Sequence, residues 1–185
     1  PVTTTKTIAA TSRANVWAAE VPELTGQSFS TVVTSDLPII AERAMYFGTP
    51  TFSGGHESAG VAAPSTSWFH AEGRTGPFFD TYILIGNPGD MPANVTVRFL
   101  RANDTPITTT VTVAAHGRET IYVDGIAGLP NTDVSTEVTS DVPVISERSM
   151  YWPGDFAQWY EAHNSFGVTS TGLAWGLAEG RFGFP

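Results

Sequence analysis

Two stretches decide how this chain folds: Thr34-Ser35-Asp36-Leu37-Pro38-Ile39-Ile40-Ala41-Glu42-Arg43-Ala44-Met45-Tyr46 and Thr139-Ser140-Asp141-Val142-Pro143-Val144-Ile145-Ser146-Glu147-Arg148-Ser149-Met150-Tyr151. They are copies of one motif, separated by the 105 residues from Thr34 to Thr139. A period of about 105 residues is the size of a small all-β domain and much longer than one rung of a solenoid. The sequence therefore predicts a tandem array of modules, in which a position kept in both copies serves something that every module shares.

The match between the copies extends through most of the chain. After Tyr46 and Tyr151 the second copy gains two residues, so the spacing becomes the 107 residues from His56 to His163. The matching pairs are residues 1–5 with 106–110, His56 with His163, Ser58 with Ser165, and Trp68 with Trp175. Because insertions concentrate in loops, the added pair predicts a loop after the motif.

The repeat divides the chain into three predicted parts. Residues 1–67 form an incomplete first repeat with its later strands only, residues 68–174 a complete repeat, and residues 175–185 the first strand of a following repeat. The first repeat lacks counterparts of residues 79–104, so its apolar faces would be exposed. We expect the native polypeptide to continue upstream; the alternative is head-to-tail self-association or strand complementation by another molecule.

The complete repeat has the pattern of an all-β domain. Apolar and polar residues alternate in short segments separated by turn residues such as Asn87-Pro88-Gly89-Asp90, and no long window shows helical spacing. The predicted strands lie around Trp68 and at residues 79–86, 95–99, 110–113, 121–123, 134–138 and 142–152. Strands in this number and spacing predict tandem immunoglobulin-like β-sandwich modules of about 105 residues, with an up-and-down barrel as the alternative.

Composition excludes several classes of partner. The formal net charge is −9 with only nine basic residues, so nucleic acid and anionic membrane surfaces are poor partners. The chain has no cysteine, which excludes disulfides and thiolate metal sites, and no apolar run long enough for membrane insertion by a helix. Charged residues make up only 15% of the chain, as in a β-rich surface protein with hydroxyl-bearing faces.

The motif places an acidic and a basic residue side by side, so we first consider a catalytic role. Neighbouring residues on a strand face opposite sides of a sheet, so Glu42 and Arg43, or Glu147 and Arg148, do not form one catalytic cluster. No nucleophile elbow of the form Gly-x-Ser-x-Gly occurs either. We therefore expect these four residues to act structurally, at an edge or a junction between modules, and predict that the protein is not an enzyme.

The shared histidines have a similar interpretation. One imidazole per module, without a second one at ligand spacing, is a weak metal signal, and the acidic turns do not reproduce a calcium loop. We therefore predict no metal and no cofactor. Our hypothesis is that the histidines lock successive modules together, His56 through the Glu72 region and His163 through the Glu179 region.

Aromatic residues cluster around a loop that only the second copy contains. Trp152, Trp159 and Tyr160 flank this loop, and exposed rings are the stacking platforms of sugar-binding modules. A carbohydrate-binding accessory module is therefore the alternative function, with glycans as partners. The other interpretation is aromatic packing at a junction. Trp68 and Trp175 match each other and are predicted to be core or junction residues.

Four segments carry a likeness to a known kind of protein: Trp68-Phe69-His70-Ala71-Glu72-Gly73-Arg74-Thr75, Phe79-Asp80-Thr81-Tyr82-Ile83-Leu84-Ile85-Gly86-Asn87-Pro88, Glu147-Arg148-Ser149-Met150-Tyr151 and His56-Glu57-Ser58-Ala59-Gly60-Val61. They resemble the tandem immunoglobulin-like β-sandwich repeats of large secreted or surface proteins of bacteria. The resemblance implies an extracellular or cell-surface location and transfers no catalytic residue. We therefore expect a non-enzymatic extracellular structural module that serves as a surface rod, filament subunit or adhesive spacer.

Overall fold

The computed structural model describes residues 1–48, 52–153, 158–178 and 180. The strands are β1 (Glu42–Phe47), β2 (Gly54–Ala59), β3 (Ser65–His70), β4 (Asp80–Gly86), β5 (Ala93–Leu100), β6 (Ile107–Val113), β7 (Arg118–Tyr122), β8 (Ser135–Trp152) and β9 (Glu161–Phe166). Short 3-10 turns lie at Ala18–Glu20, Pro22–Leu24 and Val123–Gly125. The strands pair antiparallel, which confirms the prediction of an all-β fold.

The long strand β8 joins two antiparallel layers. Its first half pairs with β5 and β3, and β6 extends this layer beyond β5. Its second half pairs with β4 and β9, and β7 extends this layer beyond β4. We call β6-β5-β8-β3 the first layer and β7-β4-β8-β9 the second layer. One strand thus fixes the two layers relative to each other.

The core lies between these layers and draws side chains from both. In β5 the residues Val95, Val97 and Phe99 are buried, whereas Thr96 and Arg98 are more exposed, because alternate residues of a strand face opposite sides. Trp68 is 2% exposed, and its indole donates a hydrogen bond of 2.9 Å to the carbonyl oxygen of Val144. The other members of this buried cluster are Ile83, Ile85, Ala93, Val113, Val123, Leu129, Val134, Val138 and Val144.

The structure corrects the predicted boundary inside β8. We expected a turn at Ser140-Asp141 between two strands, but β8 continues through it. The Asp141 carboxylate accepts hydrogen bonds from the backbone N–H and the side chain of Asn94 at 2.8 and 2.7 Å, which holds this point of β8 against β5. The polar residues therefore mark the place where β8 passes from one layer to the other.

The first copy of the motif forms one hairpin with the register of its counterpart. Strand β1 corresponds to the end of β8, and β2 corresponds to β9. Arg43 lies opposite Ser58 in the one pair, and Arg148 lies opposite Ser165 in the other. We call β1 and β2 the first hairpin, and residues 147–152 with β9 the second hairpin. Their identical register shows that the repeat in sequence is also a repeat in structure at this point.

Other parts of the repeat differ between the copies. Residues 1–41 contain no strand, although their counterparts in the second copy include β6, β7 and the first half of β8. Their apolar side chains, among them Val32, Val33 and Ile40, are exposed. The strand predicted at residues 175–185 is not formed at 175–178 or 180, and residues 179 and 181–185 lie outside the described part. Within the described ranges, no helix is long and apolar enough to cross a membrane.

Candidate functional site: the interface between the two repeats

The first hairpin packs against the outer face of the second layer. Along the second hairpin, Arg148 and Met150 point into the protein core, so Glu147, Ser149 and Tyr151 point outward. The first hairpin covers this outward face with Arg43, Phe47 and His56. The two copies of the motif therefore meet through different faces, and we call this contact the repeat interface.

An ion pair lies at one end of the repeat interface. The Arg43 Nη1 donates to the Glu147 Oε2 at 2.9 Å, and the arginine side chain remains 40% exposed. The Arg43 Nε and Nη2 atoms are buried without a hydrogen-bond partner. Arg118 of β7 is close enough for both charges to act on it, although burial is the main reason that its pKa is lowered. The charges that act on Arg118 are, in order of size, those of Glu119, Glu147 and Arg43.

A histidine and a tyrosine form the next contact of the repeat interface. The His56 Nε2 and the Tyr151 hydroxyl are 3.1 Å apart, and the two rings meet edge to face at 5.7 Å. Burial, followed by the charge of Arg43, lowers the pKa of His56, and burial raises the pKa of Tyr151. The pair is therefore held in its uncharged form. We predicted a contact of His56 with the Glu72 region, and the hydrogen-bond partner that the structure gives this imidazole is Tyr151.

An aromatic cluster occupies the other end of the repeat interface. Trp159 stacks on Tyr151 with ring centroids 4.4 Å apart, and Phe47 meets both rings edge to face at 5.6 and 6.3 Å. The buried Asp80 carboxylate accepts a hydrogen bond of 2.7 Å from the Trp159 indole and one of 2.9 Å from the Tyr122 hydroxyl. A charged acceptor makes such hydrogen bonds roughly twice as strong as neutral ones, so Asp80 fixes the rings on which the first hairpin lies.

The backbone of the first hairpin also touches the second repeat directly. A side-chain carbon added at Gly54 would lie 2.3 Å from the Tyr160 carbonyl oxygen, so this approach requires glycine. The hydroxyl of the preceding residue, Ser53, donates to the carbonyl oxygen of Trp159 at 3.2 Å. These contacts place the start of β2 against the residues that lead into β9.

Arg148 occupies a different environment from its counterpart Arg43. It is buried, donates to the carbonyl oxygen of Glu72, and lies 3.1 Å from the His163 Nδ1 through Nη2. Burial lowers the pKa of Arg148 and, together with the Arg148 charge, the pKa of His163. The Glu72 region therefore meets Arg148 of its own repeat. The predicted partner of His163, Glu179, lies outside the described residues.

Sequence reasoning missed a buried pair next to Arg148. The His70 Nε2 is 2.9 Å from the Ser146 hydroxyl, and the pKa of His70 is lowered to about 4 by burial and then by Arg148. Ser146 is 0% exposed, so no substrate reaches this hydroxyl in the structure. Neither residue is shared between copies, since Ala41 of the first repeat matches Ser146 and Leu177 of the following repeat matches His70, so the repeat gave no signal for this pair.

The structure does not assemble the predicted carbohydrate platform. Trp152 packs edge to face on Phe79 at 5.8 Å and donates to Glu161, whereas Trp159 stacks on Tyr151. Since Tyr151 and Trp152 are neighbours on β8, these contacts lie on opposite faces of the second layer. Tyr160 is exposed. Among the described residues, no group of three histidine or acidic side chains is placed to hold a metal ion.

These features define a class: an all-β protein of two antiparallel layers, with a hairpin from one repeat seated on the next. No family model and no curated protein matches the sequence. The chain is similar in structure to Thermotoga maritima 1070, with a TM-score of 0.53 and 18% identity over 58% of this chain and 96% of that one. It also matches the Anabaena sensory rhodopsin transducer, with a TM-score of 0.41 and 23% identity over 48% and 91%. The Thermotoga likeness shows the fold alone.

Proposed function

We propose that this protein is a non-enzymatic structural module of an extracellular array, in which tandem immunoglobulin-like repeats form a surface rod, filament or adhesive spacer. The observation that carries the proposal is the repeat interface. Two of its contacts, Arg43 with Glu147 and His56 with Tyr151, come from positions that both copies share, and they connect one copy to the other. A shared motif at a junction is what a chain of similar modules requires.

The two sides of the repeat interface are different faces of the hairpin, which supports an array in preference to a closed dimer. The first hairpin contributes the face with Arg43, Phe47 and His56, and the second hairpin contributes the opposite face with Glu147 and Tyr151. A contact between unlike faces is heterologous, and such contacts continue in one direction unless their rotation closes a ring. Within one chain this arrangement produces a series of modules joined in the same sense.

The chemistry of the contact also fits a mechanical role. It combines an ion pair, a hydrogen bond between uncharged rings and a stack of aromatic side chains anchored on Asp80. Because each of these contacts acts only at short range, sliding of the hairpin along the layer would remove its ion pair and its hydrogen bond. The low charge content and the abundance of threonine and serine fit a protein surface exposed outside the cell.

Single-molecule pulling tests the structural role. Handles are attached through cysteines introduced at Asp36 and Gly172, which flank the first hairpin and the two layers, in a chain that has no cysteine of its own. We expect release of the first hairpin as a step before the layers unfold, and Arg43→Met to lower the force of that step alone. A single step unaffected by Arg43→Met argues against a mechanical repeat interface.

Protease treatment of intact producing cells tests the location. We expect the protein to be cleaved from the outside while a cytosolic marker remains intact. Protection of the protein until the cells are lysed would contradict the extracellular part of the proposal.

A further inference from the structure

The strands at the borders of the two layers differ in how their outer edges are protected. A free strand edge is a row of unpaired backbone groups to which another chain can add, and proteins protect such edges with charges, proline, bulges or a covering segment. Strand β7 carries an arginine and a glutamate, and β9 has β2 of the first hairpin beside it. Strand β3 has a register shift between Ser65 and Ser67, and Val168 exchanges two backbone hydrogen bonds with Phe69. These three borders are therefore protected.

The edge of β6 has none of these protections. Strand β6 runs from Ile107 to Val113 without a charged residue or a proline, and its seven residues pair with β5 without a register shift. Among the described residues, β5 is the only strand that pairs with β6. Both strands lie within the complete repeat, so the free edge is a feature of a whole module.

The side chains of β6 favour pairing with a further strand. Every residue of β6 is β-branched, the kind of side chain that suits extended strands. Thr108, Thr110 and Thr112 are exposed on the outer face of the first layer. On the inner face, Ile107 and Val111 pack against the core and remain partly exposed. The edge thus presents a row of hydroxyl groups on one face and incompletely covered apolar side chains on the other.

A second copy of β6 is complementary to this edge. Antiparallel pairing that includes the whole strand places Thr110 opposite Thr110, on a two-fold axis. Thr108 then lies opposite Thr112, so that hydroxyl meets hydroxyl on the outer face. Ile107 lies opposite Val113, so that apolar meets apolar on the inner face. No charged side chain lies opposite another within the strand, in a chain whose net charge of −9 otherwise opposes self-association.

We propose that β6 is a lateral association edge, at which two copies of the chain pair antiparallel about Thr110 and join their first layers into one continuous sheet. The contact is isologous, so it closes after two copies and leaves no free β6 edge. It goes beyond the proposed function, because the repeat interface joins modules along one chain, whereas β6 joins modules of separate chains side by side. One pair of strands buries little surface, so single chains associate weakly, and several modules in an array strengthen the association.

Single-cysteine variants test the register, because the chain contains no cysteine. Thr110→Cys places the two thiols of a dimer opposite each other, within disulfide range. The matched control Thr108→Cys separates them by the length from residue 108 to residue 112, about 13 Å, which is out of range. We expect Thr110→Cys to form disulfide-linked dimers roughly tenfold faster than Thr108→Cys, and a mixture of Thr108→Cys and Thr112→Cys chains to recover the fast rate. Equal rates for Thr110→Cys and Thr108→Cys would overturn the proposed register.

Sedimentation velocity over a range of protein concentrations tests the association itself. The wild type should form a dimer whose fraction rises with concentration, and Thr110→Lys should remove it, because two ammonium groups would then face each other at the two-fold axis. The matched control Thr120→Lys makes the same change at an exposed position of β7 and should keep the dimer. A wild-type chain that stays monomeric at every concentration, or a dimer that persists in Thr110→Lys, contradicts the inference. The pulling experiment measures contacts within one chain, so failure here leaves the proposed function standing.

Discussion

The arginine of the first motif copy, Arg43, donates to the glutamate of the second copy, Glu147, at 2.9 Å. Glu147 thus pairs with the arginine of the other copy, although Arg148 follows it in the sequence. Glu147 points outward to the first hairpin, whereas Arg148 points inward to Glu72 and His163. Because neighbouring residues of a strand face opposite sides of the sheet, Glu147 and Arg148 have different roles. Glu147 serves the contact between repeats, and Arg148 serves the packing inside one repeat.

The Arg43–Glu147 pair predicts a measurable coupling between the copies. We expect Glu147→Gln and Arg43→Met to show a coupling of about 0.5–1 kcal/mol in a double-mutant cycle, since both side chains are only partly buried. The measurement is the free energy of unfolding in urea at low salt. Glu42→Gln is the matched control, because Glu42 holds the equivalent position in the first copy and is exposed. A coupling of Arg43 to Glu42 as large as that to Glu147 contradicts the repeat interface.

We expect Arg148 to contribute more to the free energy of unfolding than its counterpart Arg43. We expect Arg148→Lys to lower the free energy of unfolding by about 2 kcal/mol, because a buried ammonium does not reach both the Glu72 carbonyl oxygen and the His163 Nδ1. The control Arg43→Lys should cost less than about 0.5 kcal/mol, since a lysine at this partly exposed site keeps a charge next to Glu147. Chemical unfolding of the two variants measures the difference. Equal losses would show that the burial of Arg148 has no energetic role.

Replacement of Trp159 separates two roles of this residue. A packing role predicts a loss of stability, whereas a carbohydrate platform predicts a loss of glycan binding. We expect Trp159→Ala to cost about 2 kcal/mol, because Asp80 loses a donor and Tyr151 loses its stacked partner. Tyr160→Ala, at the adjacent exposed position, should change stability by less than about 0.5 kcal/mol. Thermal unfolding compares the two. Glycan-array binding by the wild type that both Trp152→Ala and Trp159→Ala abolish, without loss of stability, would support the platform instead.

Most strands of the complete repeat could be predicted because their signal is local. Alternation in residues such as Val95, Val97 and Phe99 shows which side of the strand is buried, and turn residues show where it ends. Strand β9 carries no such signal, since Glu161-Ala162-His163-Asn164-Ser165-Phe166 has no apolar alternation. Its polar residues are accommodated by neighbours from other elements. The Asn164 side chain, for example, donates to the Ser149 hydroxyl of β8 at 2.6 Å.

The partners across the repeat interface could not be predicted from the repeat alone. The repeat correctly indicated that Glu147 and His56 occupy shared positions, but two copies of one motif can meet through either face of the hairpin. The structure shows Arg43 and His56 of one face against Glu147 and Tyr151 of the other. Choosing between the faces requires the position of Asp80 and Trp159, which lie far apart in the sequence and meet only in the fold.

The buried His70 predicts that stability falls as the solution becomes acidic. Its pKa in the folded protein is about 4, below the ordinary value of 6.5, because burial and Arg148 oppose its charge. A depressed histidine pKa means that the unfolded chain binds the proton first, so this contribution is complete above about pH 6.5 and is lost as the pH falls toward 4. The lowered pKa values of His56 and His163 act in the same direction.

We expect His70→Gln to remove a large part of this dependence, up to about 3 kcal/mol between pH 7 and pH 4, while the amide keeps a hydrogen bond to Ser146. The measurement is the free energy of unfolding in urea at several pH values, compared as the difference between variant and wild type so that carboxylate titration cancels. His116→Gln removes an exposed imidazole and is the matched control. An unchanged pH slope in His70→Gln would mean that His70 becomes protonated in the folded protein without cost, which its buried position between Ser146 and Arg148 opposes.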